Sequence, residues 1–213
     1  MELTWANRMT ILRILLIVPF VICMLKINDL QLSADFRNVM RYIATIIYFV
    51  MAASDGLDGY LARIKKQTTK LGTFLDPVAD KLLITSACLL LASERGHVGE
   101  FLLPSTVVVL IIGKDIFLLI GFVIVYFITS QFLIATALIG KIATALQLSM
   151  VGAILLAPEI SLVIPGWIWI VCTLSWSAAG TAILATLIYI RNGSRYIERF
   201  EQIQNEKSES KTV

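Results

Sequence analysis

Four aspartates, Asp55, Asp58, Asp76 and Asp80, stand between apolar runs. In lipid, an ionised side chain near a helix centre costs roughly 2.5–3.5 kcal/mol on insertion scales. Four such groups demand compensation, and bound divalent cation is the direct one. Asp55 and Asp58 are three apart and Asp76 and Asp80 four apart, so on helices each pair shares one face. A basic turn between Arg63 and Gly72 joins the two segments. Counting back from Arg63, Asp58 and Asp55 lie roughly 7.5 and 12 Å along one axis; counting forward from Gly72, Asp76 and Asp80 lie roughly 6 and 12 Å along the other. In an antiparallel hairpin the four carboxylates meet at matched depth. Hard oxygen donors favour Mg²⁺, Mn²⁺ or Ca²⁺ over zinc and leave coordination positions for phosphate oxygens.

That arrangement fits chemistry on a diphosphate. Two divalent ions clamp it and stabilise charge on the attacked phosphoryl group and on the leaving oxygen. A carboxylate left partly free takes the proton of an incoming hydroxyl. Glycines admit close approach of a ligand, and Arg63 donates to phosphate oxygens.

The elements that must hold these groups follow from composition. The chain has 213 residues, of which 58% are hydrophobic and 15% charged, with a mean hydropathy of +0.83. Long uncharged runs at that apolarity mark an all-α, polytopic integral membrane protein and exclude a soluble domain. Six spans are expected, at about 11–25, 39–63, 71–93, 101–127, 133–157 and 165–190, forming one membrane domain over 1–204 followed by a charged tail over 205–213. No small-residue cleavage site follows the first run, which reads as a retained span and not a signal peptide. Pro158 and Pro165 bracket a turn, and fraying is expected after Gln204. Cys23, Cys88 and Cys172 lie singly in apolar segments and suit ordinary packing.

Basic residues set the orientation. Arg8, Arg13, Lys65, Lys66, Lys70 and the cations of the tail fall on one side; Lys26, Arg37, Arg41 and Arg95 fall on the other. The positive-inside bias then puts both termini and the aspartates at the cytoplasmic face of the cell (inner) membrane.

The run D-x2-D-G-x2-A-R-x8-G-x3-D-x3-D, filled by Asp55, Asp58, Gly59, Ala62, Arg63, Gly72, Asp76 and Asp80, resembles the signature of the CDP-alcohol phosphatidyltransferases. The resemblance implies six membrane helices, a homodimer, two ions of Mg²⁺ or Mn²⁺, and displacement of CMP from a CDP-activated lipid by an alcohol. By position it implies that Asp55, Asp58, Asp76 and Asp80 hold metal, that Asp80 is also the base, and that Gly59, Ala62, Arg63 and Gly72 shape the CDP-lipid pocket.

Asn7-Arg8-Met9-Thr10-Ile11-Leu12-Arg13 is similar to the N-x-L-T-x-x-R opening of the phosphatidylglycerophosphate synthases and related cardiolipin synthases, with Met9 in place of leucine. It adds Asn7 and Thr10 to the CDP-lipid-binding residues. The glycerophosphate branch implies CDP-diacylglycerol and glycerol 3-phosphate as substrates, with Arg13, Lys114 and Lys141 binding the acceptor. Lys114-Asp115 stands where that branch resembles Arg-Glu, and Ala143 replaces the second lysine of Gly-Lys-x-Lys-Thr. The cardiolipin synthase branch, whose acceptor is phosphatidylglycerol, carries an acidic partner like Asp115 and lacks that lysine.

Plainer roles stand beside these. Lys141 can snorkel to the interface, Lys114 can pair with Asp115 or another carboxylate, and Arg8 and Arg13 can anchor the first span. Trp167, Trp169 and Trp176 suit an interfacial belt or packing. From a different class, a carboxylate-based ion transporter would place its site near the midplane, with broken helices or repeated halves; here no clear internal repeat is visible and the carboxylates sit toward one leaflet beside an arginine.

Overall fold

The computed structural model describes the backbone of residues 5–65, 70–129 and 138–209, and side chains over 10–54, 79–121, 123–124, 139–195 and at 198. Seven helices make up the described residues: α1 Trp5–Leu25, α2 Ala34–Lys65, α3 Lys70–Leu91, α4 Ser105–Thr129, α5 Leu138–Leu155, α6 Ala157–Val163 and α7 Trp167–Glu209. Among the described residues the all-α expectation holds, helices being one of the two ways, with the closed barrel, in which an apolar chain can satisfy its backbone groups in hydrocarbon. Among the described residues, one helical stretch, Trp167–Arg195, is long and apolar enough by itself to cross a membrane. Helices 139–155 and 157–163 pass the same test as a pair, bent by 73°.

That bend is where the structure departs from a simple turn at 158–165. Pro158 lacks an N–H, and its ring collides with the carbonyl four residues back in a continuing helix, so α5 stops at Leu155. Pro158 sits at the start of α6, where the missing donor costs nothing, and Glu159 in that first turn faces the positive end of the helix dipole. Gly166, at φ +89°, then turns the chain into α7. At the other end α7 continues past Gln204 to Glu209, because no proline or glycine follows Gly193 and the segment is rich in Glu, Gln, Arg and Lys, all strong helix formers.

Two groups of helices pack together. In one, α1 lies against both α2 and α3; in the other, α7 lies against both α4 and α5. Helices α2 and α3 meet α5, and α3 also meets α4. The shared core holds Phe20, Met24, Tyr48, Met51, Ile84, Leu91, Ile111, Met150 and Ile154. Outward faces of α1, α4 and α7 present exposed Leu, Ile, Val and Phe. A hydrocarbon solvent tolerates such faces, so helix association there rests on close packing and polar ties. Cys23 and Cys88 are buried, as packing roles require, whereas Cys172 is exposed on α7. Trp167 is tied inward, its Nε1 donating to the Ala153 carbonyl at 3.2 Å, while Trp169 and Trp176 are exposed.

Polar ties cross between the groups. The Tyr48 hydroxyl donates to the Leu148 carbonyl at 2.7 Å, joining α2 to α5. Arg41 grips Glu159 through both terminal guanidinium nitrogens, Nη1 at 2.9 Å, joining α2 to α6. This fork holds the Glu159 carboxyl below its ordinary pKa of 4.5, the Arg41 hydrogen bond being the main cause. A carboxyl with a lowered native pKa contributes stability that is complete above its unfolded value and disappears as pH falls through the native one. Melting temperature in detergent therefore falls on acidification below pH 4.5 in the wild type, and Glu159→Gln flattens that limb and lowers the neutral-pH plateau.

The turn after α3 depends on one close approach. A Cβ on Gly96 would stand 2.6 Å from the Leu90 carbonyl oxygen, a backbone atom that cannot rotate away. Gly96→Ala is expected to destabilise by about 1–3 kcal/mol, the usual range for overpacking; a melting temperature unchanged from wild type would refute that.

Candidate active site

Helix α2 carries Asp55 and Asp58, and α3 carries Asp76 and Asp80. The expectations for Asn7, Asp55, Asp58, Gly59, Ala62, Arg63, Gly72 and Asp76 fall outside the described side chains. Asp80 is described, and its surroundings are specific. Its Oδ1 accepts a hydrogen bond from Arg13 Nη1 at 2.9 Å. Arg13 is only 2% exposed, while the Asp80 side chain keeps 28%. Thr10, one turn before Arg13 on α1, is also buried. The N-terminal motif and the last motif aspartate thus share one location, because α1 packs on α3 and residues three apart on α1 face the same way. Asp80 also lines a small cleft with Ala52, Leu83, Ile84, Thr144 and Leu148, contributed by α2, α3 and α5.

A second polar cluster continues from the same turn of α3. Lys81 and Lys114 both contact Asp115 Oδ1, with Lys114 Nζ at 3.2 Å. Lys114 Nζ also reaches Gln147 Oε1 at 3.5 Å. The cluster joins α3, α4 and α5, so the Lys114–Asp115 pairing weighed from the sequence is present, with Lys81 as an additional member. Lys114 and Gln147 are buried; the Lys81 side chain is 37% exposed and reaches the surface. Two polar atoms of this cluster, Asp115 Oδ2 and Gln147 Nε2, are buried without a hydrogen-bond partner among the described residues. Such an atom costs about 1–3 kcal/mol in a folded protein.

Lys141 stands apart from this cluster. It lies in the first turn of α5 and is exposed, and Ala143, at the position of the branch's second lysine, is wholly buried. The structure brings Arg13 onto Asp80 at the cleft, holds Lys114 in the second cluster with Asp115 and Gln147, and leaves Lys141 exposed. The sequence by itself singles out neither Gln147 nor Lys81 as a site residue. The available signal was an amide in a largely apolar helix, six residues after Lys141 and three after Thr144.

The donor set suits a hard divalent cation: the motif positions on α2 and α3 offer carboxylate oxygens only. Among the described residues no group of three acidic, histidine or cysteine side chains forms a metal cage, and Asp80 is the one motif aspartate whose side chain is described.

The family model for CDP-alcohol phosphatidyltransferase matches residues 3–188. The CDP-diacylglycerol–glycerol-3-phosphate 3-phosphatidyltransferase of Bacillus subtilis (strain 168) is 35% identical over 153 residues, covering 70% of this chain and 75% of that protein. The protein of the same name from Haemophilus influenzae is 39% identical, over 47% of this chain and 49% of its own length. That from Pseudomonas fluorescens is 41% identical, over 52% of this chain and 50% of its own. The matched stretches of these last two span about half of each relative. All eight signature positions and both clusters lie inside the matched range, and the chain belongs to the CDP-alcohol phosphatidyltransferase family.

Proposed function

We propose that this chain transfers the phosphatidyl group of CDP-diacylglycerol to a hydroxyl of glycerol 3-phosphate and releases CMP. Family membership sets aside the transporter reading. The observation that carries the proposal is Asp80: a half-buried carboxylate in a cleft, hydrogen-bonded to a buried arginine and adjacent in sequence to a lysine-rich cluster. In the reaction the acceptor oxygen attacks the phosphorus that bears diacylglycerol, Asp80 takes the hydroxyl proton, and the bond to the CMP oxygen breaks. Arg13 orients the Asp80 carboxylate and, with Lys114, offers positive charge to an anionic acceptor. Lys141 at the edge of the bundle attracts the acceptor from water. Asn7, Thr10, Gly59, Ala62, Arg63 and Gly72 form the pocket for the CDP-lipid.

Members of this family generally use divalent metal ions and are membrane-associated. For this chain the assignment is two ions, Mg²⁺ or Mn²⁺, held by Asp55, Asp58, Asp76 and Asp80; when bound they neutralise the diphosphate and the departing CMP. The placement is a homodimer in the cell (inner) membrane, with six spans, the site at the cytoplasmic side and both termini cytoplasmic. The charge asymmetry of the loops supports that orientation.

One observation favours a second acceptor. Asp115 contacts both Lys81 and Lys114, and Ala143 brings no charge, so the cluster offers less positive charge than a phosphomonoester dianion would draw on. Phosphatidylglycerol, a phosphodiester with a single negative charge, suits such a cluster, and the activity would then be that of a cardiolipin synthase. An acceptor panel separates the readings. Purified protein with labelled CDP-diacylglycerol is supplied with glycerol 3-phosphate, phosphatidylglycerol, serine or inositol phosphate, and CMP release is measured. Release with glycerol 3-phosphate supports the first reading, release with phosphatidylglycerol alone establishes the second, and release with neither sinks both.

A further inference from the structure

Gln147 and Asp115 hold two buried polar atoms that no hydrogen-bond partner among the described residues answers. The ammonium of Lys114 can only donate, so the Gln147 amide must turn its carbonyl oxygen toward it. That fixes Nε2 as a donor pointing away from Lys114, and no acceptor among the described residues meets it. Asp115 shows the converse. Its Oδ1 takes Lys81 and Lys114 together, while Oδ2 is buried with no donor among the described residues. An apolar pair of the same shape would close this corner without penalty, whereas the chain keeps a wholly buried amide and a nearly buried carboxylate there. Gln147 follows Thr144 by one helical turn and adjoins Leu148, both of which line the cleft beside Asp80. One unanswered donor and one unanswered acceptor, anchored to a shared ammonium near the proposed base, match a ligand carrying an anionic oxygen and a neighbouring hydroxyl.

We propose that Gln147 and Asp115 are specificity-determining residues that read the glycerol unit of the acceptor: Gln147 Nε2 donates to an oxygen of its phosphate, and Asp115 Oδ2 accepts from the glycerol hydroxyl that does not attack. This deepens the transferase reading and rests on it. It applies to either acceptor above, since both carry a phosphate and a second hydroxyl on the glycerol unit that attacks. Gln147 is required by neither the CDP-lipid pocket nor the proton transfer.

The test uses full-length protein in lipid–detergent micelles, with whichever of the two acceptors the wild type turns over. Each acceptor is paired with its analogue lacking the secondary hydroxyl, 3-hydroxypropyl phosphate or phosphatidyl-1,3-propanediol. Gln147→Leu is expected to raise the acceptor KM about tenfold or more, the effect of losing a hydrogen bond to a charged group, with KM for CDP-diacylglycerol unchanged. Asp115→Asn, which preserves shape, is expected to narrow the wild-type preference for the acceptor over its deoxy analogue toward unity. Gln147→Glu, which keeps an oxygen for Lys114 but replaces the donor with a negative charge, is expected to be worse than Gln147→Leu for the acceptor while retaining CDP-diacylglycerol binding. That retained binding separates a lost contact from a misfolded protein. Unchanged acceptor KM in both Gln147 variants, or a parallel rise in KM for both substrates, overturns the proposal while leaving the transferase reading intact. Absence of wild-type turnover with either acceptor overturns both.

Discussion

Asp80→Asn is expected to cut CMP release by on the order of 10²–10⁴-fold, the usual worth of a positioned general base. The substitution is nearly isosteric, and an asparagine carbonyl can still accept the hydrogen bond that Arg13 now gives to Asp80 Oδ1. The contact between α1 and α3 therefore survives, and the melting temperature should move little. What disappears is a group able to take a proton from the acceptor hydroxyl, together with one anionic oxygen for metal. Binding of CDP-diacylglycerol, followed separately by ligand-dependent thermal stabilisation, should remain in part, because the residues on α1 and α2 proposed for its pocket are untouched. Near-normal turnover in Asp80→Asn would show that another group accepts the proton. Lost binding and lost turnover together with a lowered melting temperature would mean that the change broke the fold.

The largest stability effect should come from Asp115→Leu. Asp115 neutralises two lysines, and they differ in their options once it is gone. Lys81, with more than a third of its side chain exposed, can turn its ammonium to water. Lys114, with a side chain 2% exposed, cannot, and retains only a long contact to Gln147. Removing one partner of a buried ion pair typically costs about 3–5 kcal/mol because the other charge is left uncompensated. The variant should melt well below wild type and express poorly. The double variant Lys114→Met with Asp115→Leu removes the stranded charge along with its partner and should regain much of the loss. If the double variant is no more stable than Asp115→Leu alone, the damage lies in packing around α4 and the electrostatic account fails. Activity tells a different story: the double variant, though restored in stability, should remain poor with an anionic acceptor because Lys114 is gone.

Much of this protein was legible from residue order. An apolar chain has almost no option but helices, since in hydrocarbon a backbone N–H can be satisfied only within its own segment or in a closed barrel. Hydropathy therefore located the main helices, with most boundaries shifting by a few residues, whereas α7 runs on to Glu209 well past the expected span and α6 stands where a turn was expected. The aspartate motif was legible for a similar reason: carboxylates at helical spacing amid apolar residues are costly enough to announce a function. Lys114 beside Asp115 was visible as an adjacent pair of opposite charge.

Partner choice across helices was not. Arg13 and Asp80 are 67 positions apart, Lys81 and Asp115 34, Lys114 and Gln147 33, and Arg41 and Glu159 118. Whether such side chains meet depends on the rotation and axial offset of one packed helix against another. Those are settled by the interlocking of many apolar side chains, each contributing weakly, and no local pattern encodes their sum. Hence Arg41, counted by its charge as a loop cation, proves to clasp α6, and Gln147, unremarkable in an apolar run, lies within reach of Lys114. Composition and spacing dictate which groups a membrane helix can bear; packing dictates which of them face one another.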